Sequence, residues 1–192
     1  MSTLEYYEKN AAEFIAGSAE ADMSDVRERF LRHIPAGGYI LDLGCGSGRD
    51  ALAFHRAGYN VTATDGSAEI CRLASELTGL EVRCLLFEEL DYVERFDGVW
   101  ACASLLHVPK SEMHDVLCRV SRSLKPGGTA YLSYKYGTTE REKDGRFFSD
   151  YTEADIPSLL TDTGLTCTEW WLSSDVRPDR TEQWLNILAR AE

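Results

Sequence analysis

The chain has 192 residues, 44% hydrophobic and 27% charged, with a formal net charge of -12. That is enough apolar material for the core of one ordinary globular domain, and charge of that sign repels polyanions, which weighs against a nucleic-acid ligand because phosphate contacts dominate such affinity. No apolar run approaches the ~18 residues of a membrane-spanning helix, and Met1 to Asn10 lacks the basic and apolar regions of a signal peptide. A cytoplasmic monomer or homodimer is expected, with no membrane or nucleic-acid partner. Its cysteines, Cys45, Cys71, Cys84, Cys102, Cys118 and Cys167, are expected to be free thiols. None forms a CxxC pair, and the histidines do not bracket them at ligand spacing, so no metal is expected.

In chain order, Tyr6, Tyr7, Ala11 and Phe14 recur at helical spacing. Ser24 suits the cap of a second helix carrying Val26, Phe30, Leu31 and Ile34 on one side, which Pro35, Gly37 and Gly38 end. A short apolar strand, Tyr39 to Leu43, runs into Gly44-Cys45-Gly46-Ser47-Gly48 and then a helix to about Ala57, with Gly58 at its left-handed closing position. Tyr59 to Thr64 is a second strand ending in Asp65, and Ser67 caps a helix to about Leu77. Val82 to Phe87 and Gly98 to Ala103 are the next strands, the latter apolar enough for the centre of a parallel sheet. A helix over Ser111 to Leu124, a turn at Lys125-Pro126-Gly127-Gly128 and a fifth strand, Thr129 to Tyr134, follow. Residues 135–150 read as a long polar loop, Thr152 as the cap of a helix to Leu160, and Thr166 to Leu172 and Trp184 to Leu188 as a closing antiparallel pair. This alternation predicts an α/β fold: a seven-stranded, mostly parallel, doubly wound sheet with helices on both faces. A single domain is expected, residues 1–37 forming an N-terminal helical cap and 38–192 the core.

The strongest local signal is the glycine loop between the first strand and its helix. Glycines there let the backbone turn tightly and let a ligand approach closely, and the loop lies at the carboxyl end of a strand, where open α/β sheets bind ligands. Asp65, ending the next strand, suits the two hydroxyls of a ribose, or else only caps the helix begun at Ser67. The dinucleotide fingerprint would need a third glycine where Arg49 stands, which disfavours an NAD(P)-dependent oxidoreductase, and no Walker GK[ST] follows.

Leu41-Asp42-Leu43-Gly44-Cys45-Gly46-Ser47-Gly48 resembles motif I of the class I (Rossmann-like) S-adenosylmethionine-dependent methyltransferases. Thr64-Asp65-Gly66-Ser67, the segment Phe96 to His107, and Leu124-Lys125-Pro126-Gly127-Gly128 resemble that family's later motifs in the same order. The resemblance is close over residues 38–134. It implies S-adenosylmethionine as cofactor and S-adenosylhomocysteine as product. It places Gly44, Cys45 and Gly46 at the methionine part, Asp65 on the ribose, Gly66, Leu86 and Phe87 around the adenine, the Ala101 backbone at the amino group, and Tyr6 or Tyr7 as a cover. Where many relatives bind the adenine amine with Asp, only Glu88 or Glu89 stands here. The short chain is most similar to the small-molecule and tellurite-resistance-type members.

The acceptor is not written in any motif. Asn-Pro-Pro-Tyr and Asp-Pro-Pro-Tyr are absent after the fourth strand, which argues against a base or amide nitrogen. His107, just beyond that strand, is either a general base or a packed, hydrogen-bonded histidine. Lys135, Arg146 and Arg177 are basic residues in an acidic chain and suggest a small anionic acceptor; the bland alternative is a solvated loop paired with nearby carboxylates, and the resemblance to the tellurite-resistance-type members implies a thiol or chalcogen oxyanion. Trp170, Trp171 and Trp184 suit sheet packing better than a ligand cage. The rival readings are a non-catalytic cofactor-binding protein, or a partner subunit, and an RNA or protein methyltransferase.

Overall fold

The computed structural model describes residues 2–177 and 180–192. The strands are β1 (Tyr39–Leu43), β2 (Asn60–Asp65), β3 (Val82–Cys84), β4 (Phe96–Ala101), β5 (Leu124–Lys135), β6 (Glu140–Lys143), β7 (Arg146–Ser149), β8 (Leu165–Ser174) and β9 (Gln183–Ala191). The helices are α1 (Thr3–Ser18), α2 (Ser24–Leu31), α3 (Arg49–Arg56), α4 (Ala68–Thr78), α5 (Lys110–Ser123) and α6 (Ile156–Leu160). Seven strands form one sheet in the order β3-β2-β1-β4-β5-β9-β8. The pairs from β3 to β5 are parallel and the two pairs made by β9 are antiparallel; the closing pair β8–β9 is as the sequence predicts. No helix of the described residues is long and apolar enough to cross a membrane.

The central strands are mostly apolar because both their faces are buried. Alternate residues feed two cores. Leu41, Val99, Ala130 and Leu132 meet Met113, Val116, Leu117 and Val120 of α5 and Leu159 of α6 on one side. Ile40, Trp100, Tyr131 and Leu188 meet Phe30 of α2 and Phe54 of α3 on the other. Trp100 is the hub of the second core, stacked on Tyr131 at 4.2 Å and touched by Phe30 and Phe54 at 5.3 Å each. Its indole nitrogen donates to Asp50 at 3.2 Å.

Local signals behave as their chemistry requires, with exceptions. Ser67 Oγ accepts from the Ile70 amide at 3.2 Å and caps α4, and Gly58 takes φ +89 beyond α3. Ser24, expected to cap α2, is instead its first residue, and Asp22 Oδ1 accepts the Ser24 amide at 2.9 Å. The turn expected at residues 125–128 is absorbed into β5 through a register shift opposite Phe96 and Gly98. The third strand is shorter than expected, because a 3-10 turn, Phe87–Glu89, replaces its end. Residues 135–150 are not an irregular loop: β6 and β7 pair across Asp144 and Gly145, whose φ angles of +53 and +77 are those of a tight two-residue hairpin turn.

Candidate cofactor and acceptor site

The glycine loop follows β1 at the carboxyl edge of the sheet. Gly44 has φ +75, and a Cβ there would lie 2.5 Å from Cβ of Ser104; Gly46 has φ +56, and a Cβ there would lie 3.1 Å from the Phe14 ring of α1. No other residue satisfies both the angle and the space. Asp65 braces the loop from β2. Its Oδ2 accepts the Gly46 amide at 3.0 Å and its Oδ1 the Ser67 amide at 3.1 Å. Burial raises the Asp65 pKa, and these amide bonds oppose the rise. Asp42, near the end of β1, is buried with Oδ2 unpartnered, and burial pushes its carboxyl well above the ordinary range.

A cavity of about 840 Å³ opens over this loop, and Tyr6, Tyr7, Gly44, Cys45 and Gly46 line it together with Asp42. His107, Lys135, Arg146 and Arg177 line it as well, so the predicted cofactor loop and the predicted basic residues share one space. Asp65, Gly66, Leu86 and Phe87 are not in its wall. There α1 covers the sheet edge: Leu4 and Leu86 carbons lie 3.5 and 3.3 Å from where a Gly66 Cβ would stand. Ala101 is fully buried in β4, and its neighbours Cys102 and Ala103 take the lining position. Glu89 Oε2 accepts the Leu86 amide at 3.1 Å and is spent on that turn.

His107 is held from both sides. Its Nδ1 lies 2.6 Å from the Phe147 carbonyl oxygen and its Nε2 2.8 Å from the Tyr7 hydroxyl. Burial pushes its pKa down to about 4, so the ring is neutral near pH 7. A carbonyl only accepts, so Nδ1 carries the hydrogen and Nε2 accepts from the Tyr7 hydroxyl. Tyr7 therefore gives its hydrogen to His107 and keeps its lone pairs as acceptors, with the Arg146 guanidinium beside them. Burial raises the Tyr7 pKa, and Arg146 beside it pulls the other way.

The three predicted basic residues differ in what already holds them. Arg177 is paired with Asp175 at 2.6 Å, and Asp175 also accepts from the Trp184 indole at 3.3 Å. Lys135 contacts Glu182 at 3.3 Å and lies over the Phe148 ring at 4.6 Å. Arg146 forms no carboxylate ion pair among the described residues. It lies over the Tyr6 and Phe148 rings at 4.7 and 5.4 Å, with a buried Nε that has no partner. The hairpin that carries Arg146 is tied to α1, where the Phe147 amide donates to Thr3 Oγ1 at 2.9 Å. Sequence reasoning missed this hairpin and the Tyr7–His107 pair. It also missed Ala103, held at φ +53 with its amide donating to Ser133 Oγ at 2.8 Å.

Residues 40–128 match a family described as a methyltransferase domain. That match spans just under half of the chain, and over it the chain is similar to S-adenosylmethionine-dependent methyltransferases. A ubiquinone biosynthesis O-methyltransferase of Bradyrhizobium sp. (strain ORS 278) is 36% identical over 99 residues, covering 49% of this chain and 38% of that protein. The enzyme of the same name from Rickettsia prowazekii (strain Madrid E) is 27% identical over 170 residues, covering 71% and 67%. The chain thus spans well under half of the first relative and two thirds of the second. The crystal structure of the Burkholderia thailandensis 1,6-didemethyltoxoflavin-N1-methyltransferase, with bound 1,6-didemethyltoxoflavin and S-adenosylhomocysteine, superposes with a TM-score of 0.75 over 100% of this chain and 91% of that one. At 24% identity it establishes the shared methyltransferase fold. The methyltransferase cofactor suits the residues present: a glycine cradle that a Cβ would fill, and a buried, orphaned Asp42 carboxylate oxygen suited to an ammonium group.

Proposed function

We propose that the protein transfers the methyl group of S-adenosylmethionine to a small anionic acceptor gripped by Arg146. The observation that carries this is the half-buried Arg146 guanidinium, whose Nε is buried without a partner and which forms no carboxylate ion pair among the described residues, in the cavity that also holds the glycine loop. A cation placed so in a chain of net charge -12 is suited to a ligand's anion. The cofactor supplies an electrophilic sulfonium methyl for an in-line displacement. The protein's part is then orientation and exclusion of water. Gly44, Cys45 and Gly46 lie under the methionine part, Asp42 faces its ammonium, and Asp65 exchanges amide bonds for ribose hydroxyls. Gly66, Leu86 and Phe87 border the adenine, with the Ala101 backbone below and Tyr6 and Tyr7 above. Lys135 and Arg177, each already paired, flank the acceptor.

An acceptor that arrives ionised needs no strong base. That matches a His107 whose two nitrogens are committed: we read it as the residue that orients Tyr7, whose oxygen meets the acceptor. Thiolates and chalcogen oxyanions fall in this acceptor class. The relatives named as ubiquinone O-methyltransferases favour a phenolate within it. The test has two parts. Calorimetry should give micromolar binding of S-adenosylhomocysteine and none of NADH. A panel of phenolic acids, thiols, selenite and tellurite should then yield a methylated product. On that acceptor, Arg146→Ala should lower kcat/KM at least about tenfold, ~1.4 kcal/mol, with the S-adenosylhomocysteine Kd unchanged; unaltered kinetics would remove Arg146 from the acceptor site.

A further inference from the structure

Two cysteines that this chemistry does not use flank the turn that carries Asp65. Cys71 lies in the first turn of α4, and Cys84 ends β3 in register with Asp65. The Cys71 thiol donates to the Asp65 carbonyl oxygen at 3.4 Å and the Cys84 thiol to the Gly66 carbonyl oxygen at 3.5 Å. The two sulfurs therefore sit on consecutive carbonyls of one turn. Cys84 is exposed and Cys71 is buried. One thiol is open to a solute and its neighbour is sheltered behind it, the arrangement of an attacked and a resolving cysteine.

We propose that Cys71 and Cys84 are a peroxide-sensitive pair whose disulfide disables the cofactor site. The effect on the site rests on the cofactor reading above; the oxidation itself does not. The Cys84 thiolate attacks hydrogen peroxide, the O–O bond breaks, and hydroxide leaves a sulfenic acid on Cys84. The Cys71 sulfur then attacks the Cys84 sulfur, the S–S bond forms, and the hydroxyl leaves as water with the Cys71 proton. Two thiols are oxidised and one peroxide is reduced to two waters. Burial holds the Cys71 thiol up at about 12, so Cys84 meets the oxidant first.

The consequence follows from where the sulfurs are anchored. Closing them to ~2 Å draws the first turn of α4 onto the end of β3. Both S–H donors disappear. The Asp65 carbonyl keeps the Leu85 amide at 2.9 Å, while the Gly66 carbonyl loses its thiol. The Asp65 carboxylate rides on that turn and Leu86 follows Cys84 by two residues, so both flanks of the nucleoside position shift together.

The experiment uses the full chain, reduced and then treated with hydrogen peroxide. Non-reducing tryptic mapping should join residues 57–72, which hold Cys71, to residues 84–95, which begin at Cys84. The linked protein should bind S-adenosylhomocysteine at least about tenfold more weakly by calorimetry, and dithiothreitol should restore it. Cys84→Ser should bind like the reduced protein before and after peroxide. Absence of the linked peptide, or linkage of Cys71 to Cys45 instead, would overturn the pair. Linked protein with undiminished affinity would overturn its control of the site. A reduced protein that binds no S-adenosylhomocysteine would instead overturn the cofactor reading and the control built on it.

Discussion

Asp65 and His107 stand at the two ends of the site and differ in how much of their role is local. Asp65 is bonded to the amides of Gly46 and Ser67, and both the glycine loop and the Ser67 cap are readable from adjacent residues. Asp65→Ala should raise the S-adenosylhomocysteine Kd at least about tenfold, ~1.4 kcal/mol, by calorimetry; a smaller change would reduce Asp65 to a brace for the loop. His107 was visible in the sequence as a candidate, but its partners lie 100 residues away at Tyr7 and 40 away at Phe147. No spacing rule reaches that far, so the sequence left both base and packed histidine open, leaning to the second. The structure brings out a neutral ring with both nitrogens engaged. If its task is to orient Tyr7, Tyr7→Phe and His107→Gln should lower turnover by similar factors, and the double variant should lose little more than either alone. Fully additive losses would separate the two residues.

Among the elements, the strands were legible wherever burial on both faces made them apolar, and the hairpin was hidden for the opposite reason. Glu140, Arg141, Glu142 and Lys143 make β6 wholly charged, so no period-2 apolar signal marks it. The Asp144-Gly145 pair was the available clue. Gly145 holds φ +77, so Gly145→Val should cost about 1–2 kcal/mol at the turn. Because Arg146 is the next residue, that variant should lose acceptor turnover while keeping S-adenosylhomocysteine affinity; a loss of both would mean that the hairpin also holds the cofactor loop. In β4, Trp100→Ala should destabilise the protein by about 3–5 kcal/mol in chemical denaturation, since the indole fills the space between α2, α3 and Tyr131. The turn at 125–128 falls inside the span of β5 as a bulge: these four residues make no ladder pair between Leu124 and Thr129, and Gly127 takes φ +76.

For the molecule as a whole, burial of His107 makes stability depend on pH. Its folded pKa of about 4 lies below the ordinary 6.5, so the unfolded chain takes up the proton first as pH falls. The stabilisation is complete above pH ~6.5 and is lost on the way down to pH ~4, a contribution of order 3 kcal/mol. Denaturant midpoints measured from pH 7 to pH 4 should fall more steeply for the wild type than for His107→Gln; parallel curves would assign acid sensitivity to other groups. The α/β class, the mostly parallel sheet and the glycine loop were legible because they depend on local pattern and on one family-wide motif order. The full lining of the cavity was not, because α1, the hairpin and the β8–β9 end of the sheet meet there from distant parts of the chain.

That meeting has a consequence for how the chain assembles. The helix α1 is fastened by Glu8 to the Ala68 amide, by Tyr7 to His107 and by Thr3 to the Phe147 amide, at separations of 60, 100 and 144 residues. Loops of that length close late, after nearer contacts have formed. The first helix in the chain is therefore seated by some of its longest-range contacts, and without the hairpin the cleft beneath it would lack a roof.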